Sequence, residues 1–364
     1  YQTTQQPGGL ATRLTYDASS HLPALSPDGK KIAFVGFSFP HDELWLMNSD
    51  GSDKHLLSEA LVPAFNKPMH WSHDSRRLLV FATPCPNHDH HEHHEHNLTT
   101  RDWGDLWLVD AETGEAQPLT NGQLLYDAQW LPNSDQIAAV KFVEREYASL
   151  CLLNMAGEIV TELSDVKIRQ SPAVPSISLW QGGKEALVLS TKDTPGLWSI
   201  NLDTGESKLL FQDDCLAWAL PLDEQHIVVA IQEIDESQGT CLTSIGILTP
   251  DREVIAWVTE TLEGSTFHPC LRPASHILLF CRSMLSTEEM HRKSDIWDLD
   301  TDSGQLSRLT EGTDLFEPFQ LDASGDSLVF TTYDHQAVNA AEFNFGQDIW
   351  KLRLKDFPVS TPTH

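Results

Sequence analysis

Six of the chain's seventeen histidines fall within nine consecutive residues, His88-Asp89-His90-His91-Glu92-His93-His94-Glu95-His96. Imidazole and carboxylate together suit zinc first, and nickel, copper or cobalt after it, and so dense a tract offers four ligands in several combinations. The spacing contains neither HExxH nor HxxEH, so no zincin-type helix with two histidines on one face is encoded. An alternating tract in a segment flanked by Pro84 and Pro86 points to adaptable, exchangeable metal binding. Its imidazoles titrate near about 6.5, so acidification from about pH 7 to 5.5 would turn an anionic segment cationic and lower its affinity for metal or partner. Asn97-Leu98-Thr99 follows directly, a glycosylation sequon that has meaning only in a eukaryotic secretory setting. Nucleophilic and phosphate chemistry find no counterpart in the sequence, which has no GxSxG and no glycine-rich phosphate loop.

What must position such a tract is a repeat. In His21 to Phe34 an apolar run, Leu22 to Leu25, enters the turn Ser26-Pro27-Asp28-Gly29 and leaves through Lys30-Lys31 into Ile32-Ala33-Phe34. Proline presets φ and glycine accepts positive φ, so the stretch reads as a β-hairpin. Glu43-Leu44-Trp45-Leu46-Met47, the turn Asn48-Ser49-Asp50-Gly51 and Lys54-His55-Leu56-Leu57 complete a four-strand unit. Echoes follow at Met69 to Phe81, Ala128 to Val140, Ser178 to Leu189, Trp218 to Ile231, Pro269 to Phe280 and Pro318 to Phe330. The third strands are marked by Trp45, Trp107, Cys151, Trp198, Gly246, Trp297 and Trp350, about fifty residues apart, the period of a β-propeller blade. The fifth unit is the most degraded. The first step is the longest because the segment from Ala82 to Asp105, which holds the histidine tract, is inserted there.

The expectation is an all-β, seven-bladed propeller of four-stranded blades covering residues 11–356, between a polar leader (1–10) and a polar tail (357–364). The seventh unit lacks a fourth strand, while Thr12-Arg13-Leu14-Thr15 closely matches the fourth-strand sequence Ser307-Arg308-Leu309-Thr310. The N-terminal strand is therefore expected to close the last blade and remove the open edges. Blade topology places the loops between second and third strands on one face, together with the connections between blades. The residues opening each first strand would ring the channel mouth there: His21, Lys67, Tyr126, Phe267 with His268, and Glu317. His41, His291 and His335, with Glu288, Glu289 and Asp334, fall in loops of the same face and could supplement a metal site.

Composition narrows the partners. With 53 acidic against 24 basic residues the formal net charge is −29, a surface that repels nucleic-acid backbones and anionic membranes. No apolar run approaches the roughly 20 residues of a membrane span. The chain begins at Tyr1, which fits a mature form after removal of a signal or lipoprotein leader. The six cysteines are scattered, and Cys270 and Cys281, flanking one hairpin, could be neighbours across it.

Ser26-Pro27-Asp28-Gly29-Lys30 with Ile32-Ala33-Phe34, then Leu44-Trp45 and Asn48-Ser49-Asp50-Gly51, resembles the TolB-like propeller repeat. That repeat is similar to those in prolyl-oligopeptidase-type propeller domains and in oligogalacturonate lyases. The resemblance covers residues 11 to about 356, and its residues make turns and core, so it specifies fold more than function. It implies a non-enzymatic, periplasmic or otherwise extracytoplasmic protein-binding scaffold, here with a metal-binding loop. A second implication is a metal-dependent polysaccharide lyase with histidines at the mouth, for which His21, His70 and His268 are the nearest candidates. An anionic oligosaccharide also needs basic clamps, and only Lys67 occupies a mouth position. The α/β-hydrolase domain that accompanies this propeller in the peptidases has no room in the chain. A third reading is a metal reservoir or delivery protein whose histidine loop is the whole function.

Overall fold

The turn that defines the repeat is wired by its own side chains. Gly29 N donates to Ser26 O at 2.8 Å, Ser26 Oγ donates to Asp28 Oδ1 at 2.7 Å, and that carboxylate also accepts from Lys30 N at 3.1 Å. The second unit copies this with Ser72 Oγ on Asp74 Oδ1 at 2.6 Å and Arg76 N on the same oxygen at 3.1 Å. Such side-chain-to-backbone bonds satisfy groups that a hairpin turn would leave to water.

A computed structural model describes residues 11–38, 41–64, 67–85, 104–123, 125–132, 134–144, 147–163, 166–169, 177–190, 193–235, 240–252, 254–284, 293–311, 313, 318–333 and 346–354. The strands form seven antiparallel sheets. Blade 1 runs from channel to rim as Ser20–Leu25, Lys31–Gly36, Glu43–Asn48 and His55–Ser58. The third strands of blades 2 to 6 are Asp105–Asp110, Tyr147–Leu153, Gly196–Asn201, Thr240–Thr249 and Lys293–Asp300. Blade 7 orders Gln320–Leu321, Ser327–Tyr333, Gln347–Arg353 and, outermost, Ala11–Arg13. The N-terminal strand therefore closes the ring, with Arg13 opposite Trp350.

The closure uses the same latch as a blade made from continuous chain. In blade 6, Thr310 Oγ1 and Thr313 N donate to Asp295 Oδ1, Arg308 pairs with Asp295 Oδ2 at 2.6 Å, and Ile296 N donates to Thr310 Oγ1. In blade 7, Thr15 Oγ1 and Ala18 N donate to Asp348 Oδ1, Arg13 pairs with Asp348, and Ile349 N donates to Thr15 Oγ1. The sequence likeness of Arg13-Leu14-Thr15 to Arg308-Leu309-Thr310 is thus a shared hydrogen-bonding job.

Apolar side chains pack between neighbouring sheets, one cluster per seam. Ala33, Val35, Leu44 and Leu46 of blade 1 meet Leu61, Trp71, Leu78 and Val80 of blade 2. The seam that shuts the ring joins Leu14, Val329 and Ile349 to Leu25, Ile32, Phe34 and Met47. Each such side chain contributes about 1.5–3 kcal/mol when fully buried. Tryptophans tie the innermost strands across seams: Trp71 Nε1 donates to Ala24 O at 2.8 Å, and Trp130 Nε1 to His70 O at 3.2 Å.

The weakest unit in sequence is regular in space. Gly246 of blade 5 occupies the register held by Trp45 or Trp297 elsewhere, opposite Val229. Its cross-strand partner on the fourth strand is Trp257, whose ring would stand 3.0 Å from a Cβ built on Gly246. The aromatic has moved one strand outward. Two other features differ from the sequence reading. The innermost strand of blade 2 is split into Leu61–Pro63 and His70–Trp71, both paired with Arg77–Pro84. Cys270 and Cys281 are not directly opposed, because a bulge between Phe267 and Cys270 pairs Cys281 with Phe267 and Cys270 with Leu279. All six cysteines are thiols.

Candidate functional site

The first strands bulge where they reach the channel mouth. In blade 1 the pairing steps from His21 opposite Val35 to Ala24 opposite Ala33, leaving Leu22 and Pro23 out of register. In blade 6 it steps from Phe267 to Cys270, leaving out His268 and Pro269. Leu22 and His268 take φ of 48° and 50°, an uncommon conformation for side chains of their size. The bulge therefore aligns His21 with Phe267 and Leu22 with His268, which sets the two histidines one residue apart in register.

That offset separates the predicted histidines. His21 is wholly buried and stacks on Phe37, with ring centroids 4.2 Å apart and planes 5° from parallel. Asp42 lies within electrostatic reach of both His21 and His41, and burial lifts its carboxyl above the usual range against their pull. His268 is buried and meets Phe267 edge-on at 5.1 Å. Among the described residues, the three whose donor atoms come within 4.8 Å of one another are Asp213, Asp214 and Cys215, so His21, His70 and His268 do not converge.

Lys67, His70 and Tyr126 do gather, at the seam of blades 2 and 3. The loop between the two halves of the split strand carries Lys67, whose Nζ donates to Tyr126 O at 2.6 Å. The same ammonium lies 4.0 Å from the Tyr126 ring centroid and 5.4 Å from that of Phe81, inside cation–π range. Tyr126 is held edge-on by Phe142 at 5.7 Å. Asp127, which the sequence reading passed over, is the common counter-charge, with Oδ1 3.7 Å from His70 Nε2. Burial pushes Lys67 down to about 8 against the Asp127 charge, and pushes Tyr126 up to about 12 with a smaller push from Asp127. Burial also holds His70 below its ordinary value, against Asp127. The result is a cationic amine wedged between two aromatic rings beside a neutral imidazole, suited to gripping a partner's carbonyl or carboxylate.

Two more residues on this side of the ring, Arg169 and Cys85, were missed. Arg169, in the connection from blade 3 to blade 4, donates Nη1 to Leu216 O at 2.7 Å and Nη2 to Ala217 O. Its neighbour Ile168 bridges Ala148 of blade 3 and Ser190 of blade 4. Between blades 1 and 2, His41 Nε2 lies 3.2 Å from Cys85 Sγ in a cleft of 260 Å³. The signal for Cys85 was its place three residues before the histidine tract; Arg169 had none beyond being a basic residue in an acidic chain. His88, Asp89, His90, His91, Glu92, His93, His94, Glu95 and His96 lie outside the described residues, as do Glu317, His291 and His335. Among the described residues no helix is long and apolar enough to cross a membrane.

No family model matches the sequence, and no curated relative does. Solved structures do match the fold. A prolyl endopeptidase aligns at TM-score 0.56 and 12% identity, over 91% of this chain and 48% of that one. U3-55K aligns at TM-score 0.55 and 11% identity, over 95% of this chain and 99% of that one. TolB from Acinetobacter baumannii aligns at TM-score 0.48 and 12% identity, over 78% of this chain and 64% of that one. At these identities the likeness is one of fold alone, and with the seven sheets and the N-terminal closing strand it makes the chain a seven-bladed β-propeller.

Proposed function

We propose that this propeller is a non-enzymatic, extracytoplasmic scaffold that binds a protein on the face where its second-to-third-strand loops and blade connections gather. The observation that carries the reading is the concentration of blade-specific features on that face. The Lys67 loop, the Arg169 connection, the His41–Cys85 cleft and the two roots of the tract-bearing segment, Cys85 and Gly104, all belong to it. A rigid ring supplies the platform and its loops the specificity. The chain's net charge of −29 favours a partner with a basic surface and salt-dependent association. The tract His88 to His96 would add exchangeable zinc to the same face, as a second determinant of binding.

The test is site-specific photo-cross-linking in the native cell. A photoreactive residue at Asp193 or Glu260, in connections of the loop face, should yield one discrete adduct. The same residue at Asp50 or Glu112, in the turns between third and fourth strands, should not. Equal labelling from both sets, or none from either, would remove the scaffold reading. Deleting residues 88–96 and repeating the experiment with a chelator asks separately whether metal on the tract contributes.

A further inference from the structure

The geometry points to a transition-metal site of the zinc class between blades 1 and 2, with His41 Nε2 and Cys85 Sγ as ligands and the Glu59 or Glu43 carboxylate as a third. Its two principal donors are already placed. Cys85 N donates to Ala60 O at 2.8 Å, fixing the backbone just past the end of the second strand of blade 2. His41 comes from the loop of the neighbouring blade, and its Nε2 stands 3.2 Å from the sulfur. A tetrahedral ion with Zn–S of about 2.3 Å and Zn–N of about 2.0 Å sets those atoms about 3.5 Å apart, so seating it needs an opening of only about 0.3 Å.

The surroundings supply the remaining groups, with the third ligand still to close in, because neither carboxylate stands within 4.8 Å of both donors. The 260 Å³ cleft is lined by His41, Glu43, Glu59 and Cys85 against the side chains of Leu56 and Leu61. It therefore has room for an ion and a water, an apolar wall, and carboxylates of the right sign. Glu43 is oriented by Trp45, whose Nε1 donates to Oε2 at 3.1 Å, the outer-shell support that metal ligands commonly show. Glu59 is exposed and can swing inward. The resting group is a thiol in contact with imidazole. Binding would expel that proton to solvent and form the metal–thiolate bond with no change of oxidation state. This site differs from the tract at residues 88–96 in using sulfur, and sulfur makes it testable separately.

Cobalt(II), a spectroscopic stand-in for zinc, should give a thiolate-to-metal charge-transfer band when titrated into the untagged protein. The band should persist at one equivalent after deletion of residues 88–96 and vanish in Cys85→Ser. His41→Ala should weaken binding at least tenfold, and Cys215→Ser, in the Asp213-Asp214-Cys215 cluster, should leave it unchanged. A second measurement needs no variant to fold: zinc should shield Cys85 of the wild-type protein from alkylation, read by peptide mass. Absence of the band from the tract-deleted protein, its survival in Cys85→Ser, its loss in Cys215→Ser, or alkylation of Cys85 indifferent to zinc would each overturn the site. None of these outcomes bears on whether the loop face binds a protein.

Discussion

At the outer rim, the turn between third and fourth strands of blades 1 to 4 and 6 ends in a glycine that faces a carbonyl of the preceding blade. A Cβ on Gly114 would stand 1.9 Å from Leu57 O, on Gly157 1.3 Å from Leu119 O, and on Gly205 2.6 Å from Leu163 O. At the loop face, neighbouring blades are joined by groups that occur once: Lys67 on Tyr126 O, Arg169 on Leu216 O, Cys85 beside His41. The rim repeats because its contact is backbone against backbone, and only the absence of a side chain permits it. The loop face varies because its contacts are made by side chains, each of which can change without altering the blade. One region carries the ring and the other carries what distinguishes this ring from others.

The sharpest way to break that contrast is at Gly157. Its φ is +76° and an added methyl would collide with Leu119 O, so Gly157→Ala must part the seam of blades 2 and 3. A loss of about 3 kcal/mol is expected, combining the left-handed backbone cost with displaced packing. Gly122 has nearly the same φ, +70°, and nothing within 4 Å of its Cβ position. Gly122→Ala should therefore cost only the conformational part, about 1 kcal/mol. Denaturant unfolding of the pair checks this, and equal losses would mean that close approach contributes nothing at the rim.

Ring closure should be nearly as sensitive. Asp348 is almost fully buried and accepts from Thr15, Ala18 and Arg13, all from the N-terminal segment. Asp348→Ala leaves those donors without their acceptor and is expected to cost about 2–3 kcal/mol. Because the strand it holds lies at the chain end, amide exchange should rise first in residues 11–15. Asp295→Ala removes the same latch from a blade of continuous chain and should cost a similar amount without that localised exchange. Indistinguishable exchange patterns would show that closure is no weaker than any other seam.

The rim and the latch were legible in the sequence because repetition exposes them. The turn glycines recur at a fixed place, and Arg13-Leu14-Thr15 copies Arg308-Leu309-Thr310 closely enough to place a strand more than 300 residues from its partners. Blade 5 looked degraded because the turns after its first and third strands carry no glycine and its tryptophan moved from the third strand to the fourth, a change that spacing alone does not reveal. The mouth was legible in part. Lys67, His70 and Tyr126 were named and are together, but the one-residue bulge before Pro23 and Pro269 withdrew His21 into the wall beside Phe37. Asp127 and the His41–Cys85 pair depend on which blades abut at which height. That is set by packing between units, which a pattern read within one unit does not contain.

The smallest expected effect lies at the mouth and is seen best through pH. Lys67 has its folded pKa lowered to about 8 from an ordinary 10.5, chiefly by burial. Between those values the unfolded chain holds the proton that the folded chain has released, so Lys67 makes the protein more stable as pH rises through that window. Below about pH 8 both states carry the proton and the burial cost is present in full. Lys67→Met keeps the aliphatic contact with Phe81 and Tyr126, loses the bond to Tyr126 O, and has nothing to titrate. The wild type should therefore gain about 1 kcal/mol on the variant between pH 7.5 and pH 9.5, roughly half of what the full displacement gives over that window, because the half-buried amine keeps some contact with solvent. The gain is measured as the difference of two unfolding midpoints so that other titrations cancel. A difference independent of pH would mean that Lys67 is solvated at the mouth and is not part of the seam.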